Sequence, residues 1–397
     1  MKMNIGIVTT WFERGAAYVS KNYMELLQKE GHTVFIYARG GEEHPTKREA
    51  KWNEAYVTRD ETHIDSNVSR RKLYSFIQKN NLDILLFNEQ KDFRVVVDVK
   101  ERYPDLKVGA YVDYYTERTI PWFRVYDFLV CNTKRHMQAM QSHPQKYYLP
   151  WGTDVTLFSP KDMPREGVTF FHSVGMAPRK GTDVLVDAYI AGKLYERSKL
   201  ILHTQAPIEF FCRYNKEELE KYGITVIEET VTAPGLYYMG DVYVYPTKLD
   251  GLGLTMYEAL ACGLPVITSD FPPMNETINE DVGRLVKIGD YYCRADGYYF
   301  PMVLCDRDDL IRAMDWYIDH PDELQKQKEA ARQYAVTHYD LAQKSKMCAE
   351  IFEKAHCMER DKALYREIRR YYKQNTSLYQ IIRGWRFLWK LNRRMKG

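Results

Sequence analysis

The sequence predicts an α/β protein of two Rossmann-like domains facing a cleft, with a helical extension at its C-terminal end. Three observations predict it. The chain has 397 residues, too many for one ordinary core, since domains usually run to roughly 100–200 residues. Short apolar runs recur along both halves with helix-compatible stretches between them, the pattern of βαβ units on a parallel sheet. One such run, in the second half, ends at a glycine-punctuated loop that opens a helix.

In the first domain, residues 1–152, apolar runs at 3–9, 33–37, 84–87, 108–112, 128–130 and 147–149 read as strands, and Tyr18, Tyr23, Leu26 and Leu27 form a helical stripe before Gly31. The segment 150–164 is rich in Pro, Gly, Thr and Asp without a sustained period, which marks a linker. Strand-like runs resume at 168–172, 199–203, 224–227, 242–245, 266–268 and 284–286, giving a second domain over 165–339. From Asp308 onward the pattern is helical, with a helix expected over 340–359 that returns to the first domain. No internal repeat of fixed period is present.

Composition excludes several classes. At 45% hydrophobic and 28% charged residues the chain fits an ordinary globular protein rather than a disordered one. Residues 1–10 carry one Lys before a short apolar strand and no cleavage-like tail, so they do not read as a signal peptide, and no run of 18 apolar residues is present. The seven cysteines are odd in number and never spaced Cys-x-x-Cys, which suits a reducing cytoplasm and reads as small buried side chains. Residues 360–397 hold twelve Lys or Arg against Asp361 and Glu367, a local charge of +10 that leaves the rest at −7 out of the net +3. A mildly acidic body is not a nucleic-acid binder.

The strongest local signal runs from Lys248 to Thr268. Gly251 and Gly253 allow a ligand close to the backbone, and the amides of Leu254 and Thr255 at the helix start suit a diphosphate. Glu258, one turn on, suits the two hydroxyls of a ribose, and Asp250 the hydroxyls of a sugar. Taken singly, Glu258 equally serves the helix dipole and Asp250 a turn. Asp306-Arg307-Asp308 looks like a metal-binding pair, but it precedes a helical run and reads better as an N-cap. The histidines never fall in metal-ligand spacing, so no metal and no cofactor is expected.

Asp250, Glu258, Ala259, Ala261, Gly263, Pro265 and Val266 stand in the register of a known signature: an acidic residue, seven residues, then Glu and Ala-x-Ala-x-Gly-x-Pro-Val. This resembles the retaining glycosyltransferases of family 4, of the two-domain GT-B fold, with Asp in place of the more usual first Glu. The stretch from His172 to Leu185 resembles the same family's strand, loop and Lys-Gly helix start, and Pro150 to Pro160 its interdomain stretch with Gly-x-Asp and Phe-x-Pro. The resemblance covers residues from about 3 to about 356, strong in the second domain and faint in the first.

It implies a metal-independent enzyme moving a hexose-type sugar from a nucleoside diphosphate donor, UDP ahead of GDP, to a glycan or lipid-linked acceptor with retention. Polysaccharide or glycolipid assembly is the family's commonest role. By this resemblance Lys180 meets the diphosphate; the family's arginine is replaced by Met176, so Arg179 supplies the second positive charge or the site works with one. Gly15 matches a glycine loop whose amide meets the donor phosphate, although the usual double glycine reads Gly15-Ala16. Many members carry His-Asp after the strand at 108–112; here Val112 precedes Asp113, which is left to orient or deprotonate the acceptor hydroxyl, or to cap a turn, with Glu117 as a deputy. Those departures keep open a non-catalytic sugar-nucleotide sensor or scaffold, and an epimerase or phosphorylase stands third. Residues 378–395 mix Trp385 and Trp389 with Arg383, Arg386, Arg393 and Arg394, the composition of an interfacial helix on an anionic membrane face, or of a helix that packs on protein.

Overall fold

A computed structural model of the chain describes residues 2–40, 49–60, 68–161 and 163–375. They divide into two compact units, one of Met1–Leu149 with the residues from Gln343 onward, the other of Pro150–Ala342.

The first unit is built on seven parallel strands: β1 (Asn4–Thr9), β2 (Thr33–Ala38), β3 (Val57–Arg59), β4 (Ile84–Asn88), β5 (Lys107–Tyr111), β6 (Phe128–Cys131) and β7 (Lys146–Tyr148), in the order β3-β2-β1-β4-β5-β6-β7. Ile5, Ile7, Ile36, Leu85, Leu86 and Val108 are fully or almost fully buried, because a parallel sheet is covered on both faces and its strands read as continuous apolar runs. Helices α1 (Gly15–Lys29), α2 (Arg70–Lys79), α3 (Phe93–Arg102) and α4 (Lys134–Ala139) make the crossovers. Ser69, Asp92 and Thr133 cap the last three by accepting from a backbone amide of the first turn.

The second unit repeats the plan. Strands β8 (Val168–Ser173), β9 (Ser198–Thr204), β10 (Ile224–Glu228), β11 (Val242–Tyr245), β12 (Val266–Ser269) and β13 (Gly283–Val286) lie in the order β10-β9-β8-β11-β12-β13, all parallel. An antiparallel hairpin follows, β14 (Ile288–Tyr292) and β15 (Met302–Cys305). Helices α5 (Thr182–Ala191), α6 (Lys216–Glu220), α7 (Leu254–Ala261), α8 (Arg307–Asp319) and α9 (Pro321–His338) complete it. Asp306 caps α8 by accepting from the Asp309 amide at 2.7 Å, as its position before a helical run indicated.

The last described helices, α10 (Ser345–Lys354) and α11 (Lys362–Asn375), belong to the first unit. Lys107 donates to the Phe352 carbonyl at 3.1 Å, Trp122 to Glu367 at 2.8 Å, and Arg369 pairs with Asp98 and Glu101. The basic, aromatic run 378–395 lies outside the described residues. No described helix is long and apolar enough to cross a membrane.

One expectation is corrected. The cysteines are not uniformly buried: Cys293 and Cys357 are exposed and Cys212 is half-buried, although all seven are free thiols. Strands β3, β14 and β15 were not legible: β3 has three half-buried residues and β14 exposes all but Ile288, so neither shows a buried face, and β15 is four residues long with only Val303 and Cys305 buried.

Order reverses between β8 and β11, and there the backbone is tightest. Gly181, between a turn at Pro178–Lys180 and α5, has φ +83°, and a Cβ on it would lie 2.0 Å from the Pro246 carbonyl oxygen. Gly223 has φ +64° with nothing within 4 Å of such a Cβ. The Gly181→Ala variant is therefore expected to lose about 1–3 kcal/mol of folding stability in urea titrations, more than Gly223→Ala, which carries backbone strain alone. Equal losses would show that the two loops do not press together.

Candidate active site

In an open α/β sheet the loops that follow strands on either side of an order reversal diverge and leave a crevice at the strands' carboxyl ends. In the second unit these are the loop after β8, residues 174–181, and the loop after β11, residues 246–253. His172, fully buried near the end of β8, ties them to the sheet. Its Nδ1 lies 2.7 Å from the Val244 carbonyl and so carries the proton, and its Nε2 lies 2.9 Å from the Thr182 hydroxyl at the start of α5. Burial pushes this imidazole down to about 4, so it is neutral at ordinary pH. The loops are also bonded to each other: the Lys248 amide donates to the Arg179 carbonyl at 2.8 Å, and the Thr247 hydroxyl to the same oxygen at 3.2 Å.

This frame brings Arg179, Lys180, Asp250 and Glu258 together. The Lys180 ammonium donates to the Asp250 carboxylate and to the Tyr245 hydroxyl, and that hydroxyl donates to the same carboxylate. The other Asp250 oxygen accepts from the Gly251 amide at 2.8 Å and lies 3.6 Å from Arg179, which also donates to the Leu249 carbonyl at 2.9 Å. Burial alone would raise the Asp250 carboxyl; Lys180 first and then Arg179 outweigh it and hold the group well below the usual carboxylate range. Burial also lowers Lys180, against the pull of Asp250.

Gly253, at φ +71°, turns the chain into α7, so Leu254 and Thr255 are its first two residues and their amides precede the helix's own hydrogen bonding. Glu258 sits one turn on. Its carboxylate accepts from the buried Tyr237 hydroxyl at 2.5 Å, yet burial pushes it up to about 7, because neither Tyr237 nor the charge of Lys180 offsets its desolvation. A protonated or half-protonated acid in a cation-bearing crevice is poised for a ligand that offers it hydroxyl donors.

The remaining expected residues lie in the first unit. Gly15 is the exposed first residue of α1, is not among the glycines of positive φ, and follows Arg14, which makes no side-chain cap. Asp113 follows β5 and is half-buried; Glu117 is exposed in the next turn. Beside Asp113, the Val112 carbonyl accepts from Nδ1 of the buried His136 at 2.6 Å, an imidazole that burial lowers to about 3. Met176, in the loop after β8, is exposed.

Sequence reasoning missed Tyr245, Tyr237, His172 and His136. Tyrosine and histidine inside apolar runs read as core, and nothing in the sequence signals where a hydroxyl or ring nitrogen points. A cavity of about 630 Å³ opens elsewhere in this unit, between Pro160, Arg165, Gly240, Leu264, Lys328 and Arg332. Gly240 and Leu264 precede β11 and β12, so it lies at the opposite end of the strands and shares no residue with the Lys180 cluster. Among the described residues no group of three or more His, Cys, Asp or Glu is placed to hold a metal ion.

Because Glu258 titrates near 7 in the folded chain against 4.5 for a free carboxyl, the native state binds the extra proton between those values. Stability is therefore expected to fall as pH rises from about 4.5 to about 7 and to level off above. Asp250 acts oppositely and only at lower pH. Urea midpoints measured across this range should show the slope in the wild type and lose it in Glu258→Gln; an unchanged slope in the variant would contradict the assignment.

Residues 165–334 match the family described as Glycosyl transferases group 1. The chain is 22% identical over 262 residues to the GtfA subunit of the UDP-N-acetylglucosamine–peptide N-acetylglucosaminyltransferase of Streptococcus pneumoniae serotype 4, covering 57% of this chain and 50% of that one. It is 29% identical over 133 residues to the lipopolysaccharide core biosynthesis mannosyltransferase LpsB of Rhizobium meliloti, covering 30% of this chain and 36% of that one. The chain thus spans half or less of the length of these curated relatives. Among solved structures, the sucrose-phosphate synthase of Thermosynechococcus elongatus superimposes with a TM-score of 0.71 at 14% identity, covering 89% of this chain and 99% of that one, a likeness of fold. The chain has the GT-B fold of two Rossmann-like units, and its second unit carries the match to the glycosyl transferases group 1 family.

Proposed function

We propose that the chain is a retaining, metal-independent transferase of the family 4 type. It would move a hexose-type sugar from a nucleoside diphosphate donor to a glycan or lipid-linked acceptor. The observation that carries this reading is the placement of a half-buried lysine, a helix start and an acid titrating near neutrality in one crevice of the second unit. A UDP-sugar is put ahead of a GDP-sugar because the pneumococcal relative is a UDP-N-acetylglucosamine transferase.

In this reading the diphosphate takes the place of Asp250 as the partner of Lys180 and lies over the amides of Leu254 and Thr255, while the ribose hydroxyls donate to Glu258. Asp250, released from Lys180, accepts from the sugar's hydroxyls, and Arg179 stays beside it. The bond between the anomeric carbon and the phosphate oxygen breaks as the acceptor hydroxyl attacks from the same side. The acceptor's proton passes to the departing phosphate oxygen, and Lys180 and the helix start stabilise the charge that develops there, so a metal is not needed. Gly15 would add a backbone amide to the phosphate, and Asp113 would orient the acceptor hydroxyl. The run 378–395 is proposed, from composition alone, to dock on an anionic membrane face beside a lipid-linked acceptor.

The engaged Lys180–Asp250 pair equally suits a sensor that binds donor without turning it over. Incubating the full chain with UDP-, GDP- and ADP-sugars in the presence of a chelator, and following nucleotide release, separates the two. Release from one donor is expected, with Lys180→Ala slower by about 10²–10³-fold and Glu258→Ala defective in both turnover and nucleotide binding. Binding without release would establish the sensor, and wild-type nucleotide affinity in Glu258→Ala would remove the ribose assignment.

A further inference from the structure

The sheet of the first unit also reverses its order, between β1 and β4, and Arg39 follows β2 beside that point. Its side chain is 5% exposed. The guanidinium donates to the Glu89 carbonyl at 2.9 Å and to the Thr10 hydroxyl at 3.3 Å, and its Nε meets no acceptor. Among the described residues no carboxylate comes within ion-pair distance of it. Arginine stays charged even when buried, so this is a buried cation with five N–H donors and only two neutral acceptors. The Glu89 carboxylate acts on it only from beyond ion-pair distance, so the charge is incompletely compensated, a costly arrangement for a buried group.

Two other cations of the chain show how such a cost is ordinarily met. Lys100, buried in the same unit, is paired with Asp127. Arg332, which braces a turn in the second unit, gives one nitrogen to the carbonyls of Val155, Phe158 and Ala261. Arg39 gives its terminal nitrogens to a carbonyl and a hydroxyl, but no carboxylate of the described residues contacts it and its Nε is unmet.

The turn that Arg39 holds carries the complementary deficit. Asn88 and Gln90 flank Glu89, are 1% and 8% exposed, and leave their side-chain oxygens without a donor. Their orientation is set by their amide nitrogens, which donate to the Ala16 carbonyl and the Ser20 hydroxyl, and to the Asp92 carbonyl. Unmet donors and unmet acceptors thus sit on one turn without pairing with each other. A ligand with an oxyanion for Arg39 and hydroxyls for the amide oxygens would satisfy both. Helix α1, with no acid in its first turn, adds its positive end on the same side of the sheet.

We infer that the first unit carries an anion-recognising subsite centred on Arg39, and that it takes a sugar unit bearing a phosphate or carboxylate. That this unit belongs to the acceptor rests on the transferase reading; the subsite itself does not.

Calorimetric titration of the full chain, saturated with UDP so that the second unit's own phosphate site is occupied, tests it with three probes: inorganic phosphate, glucuronate and neutral glucose. Binding of at least one anion is expected, weakened about tenfold or more in Arg39→Gln, with UDP affinity unchanged. Gln90→Leu, which keeps the cation, is expected to weaken glucuronate more than phosphate, and it serves if Arg39→Gln does not fold. Phosphate alone would assign a phosphorylated unit, and glucuronate alone a sugar acid. No binding of either anion by the wild type, equal binding by Arg39→Gln, or glucose binding as tightly as glucuronate would overturn the subsite. Anion binding that Arg39→Gln abolishes, in a chain that shows no affinity for UDP, GDP or ADP, would leave the subsite standing and remove the transferase reading.

Discussion

The ion pair between Lys180 and Asp250 is the interaction on which the second unit's crevice depends. Two charges taken out of water lose hydration, and the loss is repaid only where their geometry is good and their remaining hydrogen-bonding capacity is met. Here it is met: the Tyr245 hydroxyl joins both groups, the Gly251 amide holds the second carboxylate oxygen, and Arg179 adds charge from the same side. The outcome is visible in the two acids of the crevice. Asp250, with two cations, is held far below the usual range, whereas Glu258, with a tyrosine and only the more remote charge of Lys180, is pushed up to about 7 by burial. Opposite environments for two carboxylates in one crevice separate their roles, one kept ionised and one responsive to a ligand.

The pair stays in place because the loops carrying its members cannot move independently. Gly181 leaves no room for a side chain against Pro246, His172 joins the end of β11 to the start of α5, and the Lys248 amide bonds to the Arg179 carbonyl. Behind them, the Val303 amide on β15 donates to the Lys248 carbonyl at 2.8 Å, so the hairpin fastens the same loop from its other side. Local backbone chemistry, the reversal of strand order and buried electrostatics therefore converge on one place, where a rigid positive site would hold a diphosphate with little reorganisation.

How much of this was legible in the sequence follows from the physics of each element. Strands buried on both faces write themselves as apolar runs, so β11 was read at 242–245 and the others to within a residue or two of their ends. The short edge strand β3 and the exposed strand β14 bury no face, and β15 buries only Val303 and Cys305, so none left such a trace. Asp250 and Glu258 were singled out because glycines and charges at a strand-to-helix turn are a chemical pattern in one dimension, Lys180 and Arg179 only through the family resemblance, and the structure brings the four together. Tyr245 and Tyr237 were not, since a tyrosine in an apolar run gains its role only from what its hydroxyl meets. Arg39 escaped for the opposite reason. An arginine after a strand reads as solvated, and only the fold reveals that it is buried with no carboxylate of the described residues in contact and its Nε unmet.

The account's central claim is that Lys180, the α7 start and Glu258 form a nucleoside diphosphate site. It is tested most directly by a crystal structure of the chain with the diphosphate that binds best. The expected result is a phosphate oxygen within hydrogen-bond distance of the Lys180 ammonium, the Lys180–Asp250 contact opened, and the ribose hydroxyls on Glu258. A nucleotide seated elsewhere, such as the cavity between Pro160 and Arg332, with the Lys180–Asp250 pair intact would contradict it.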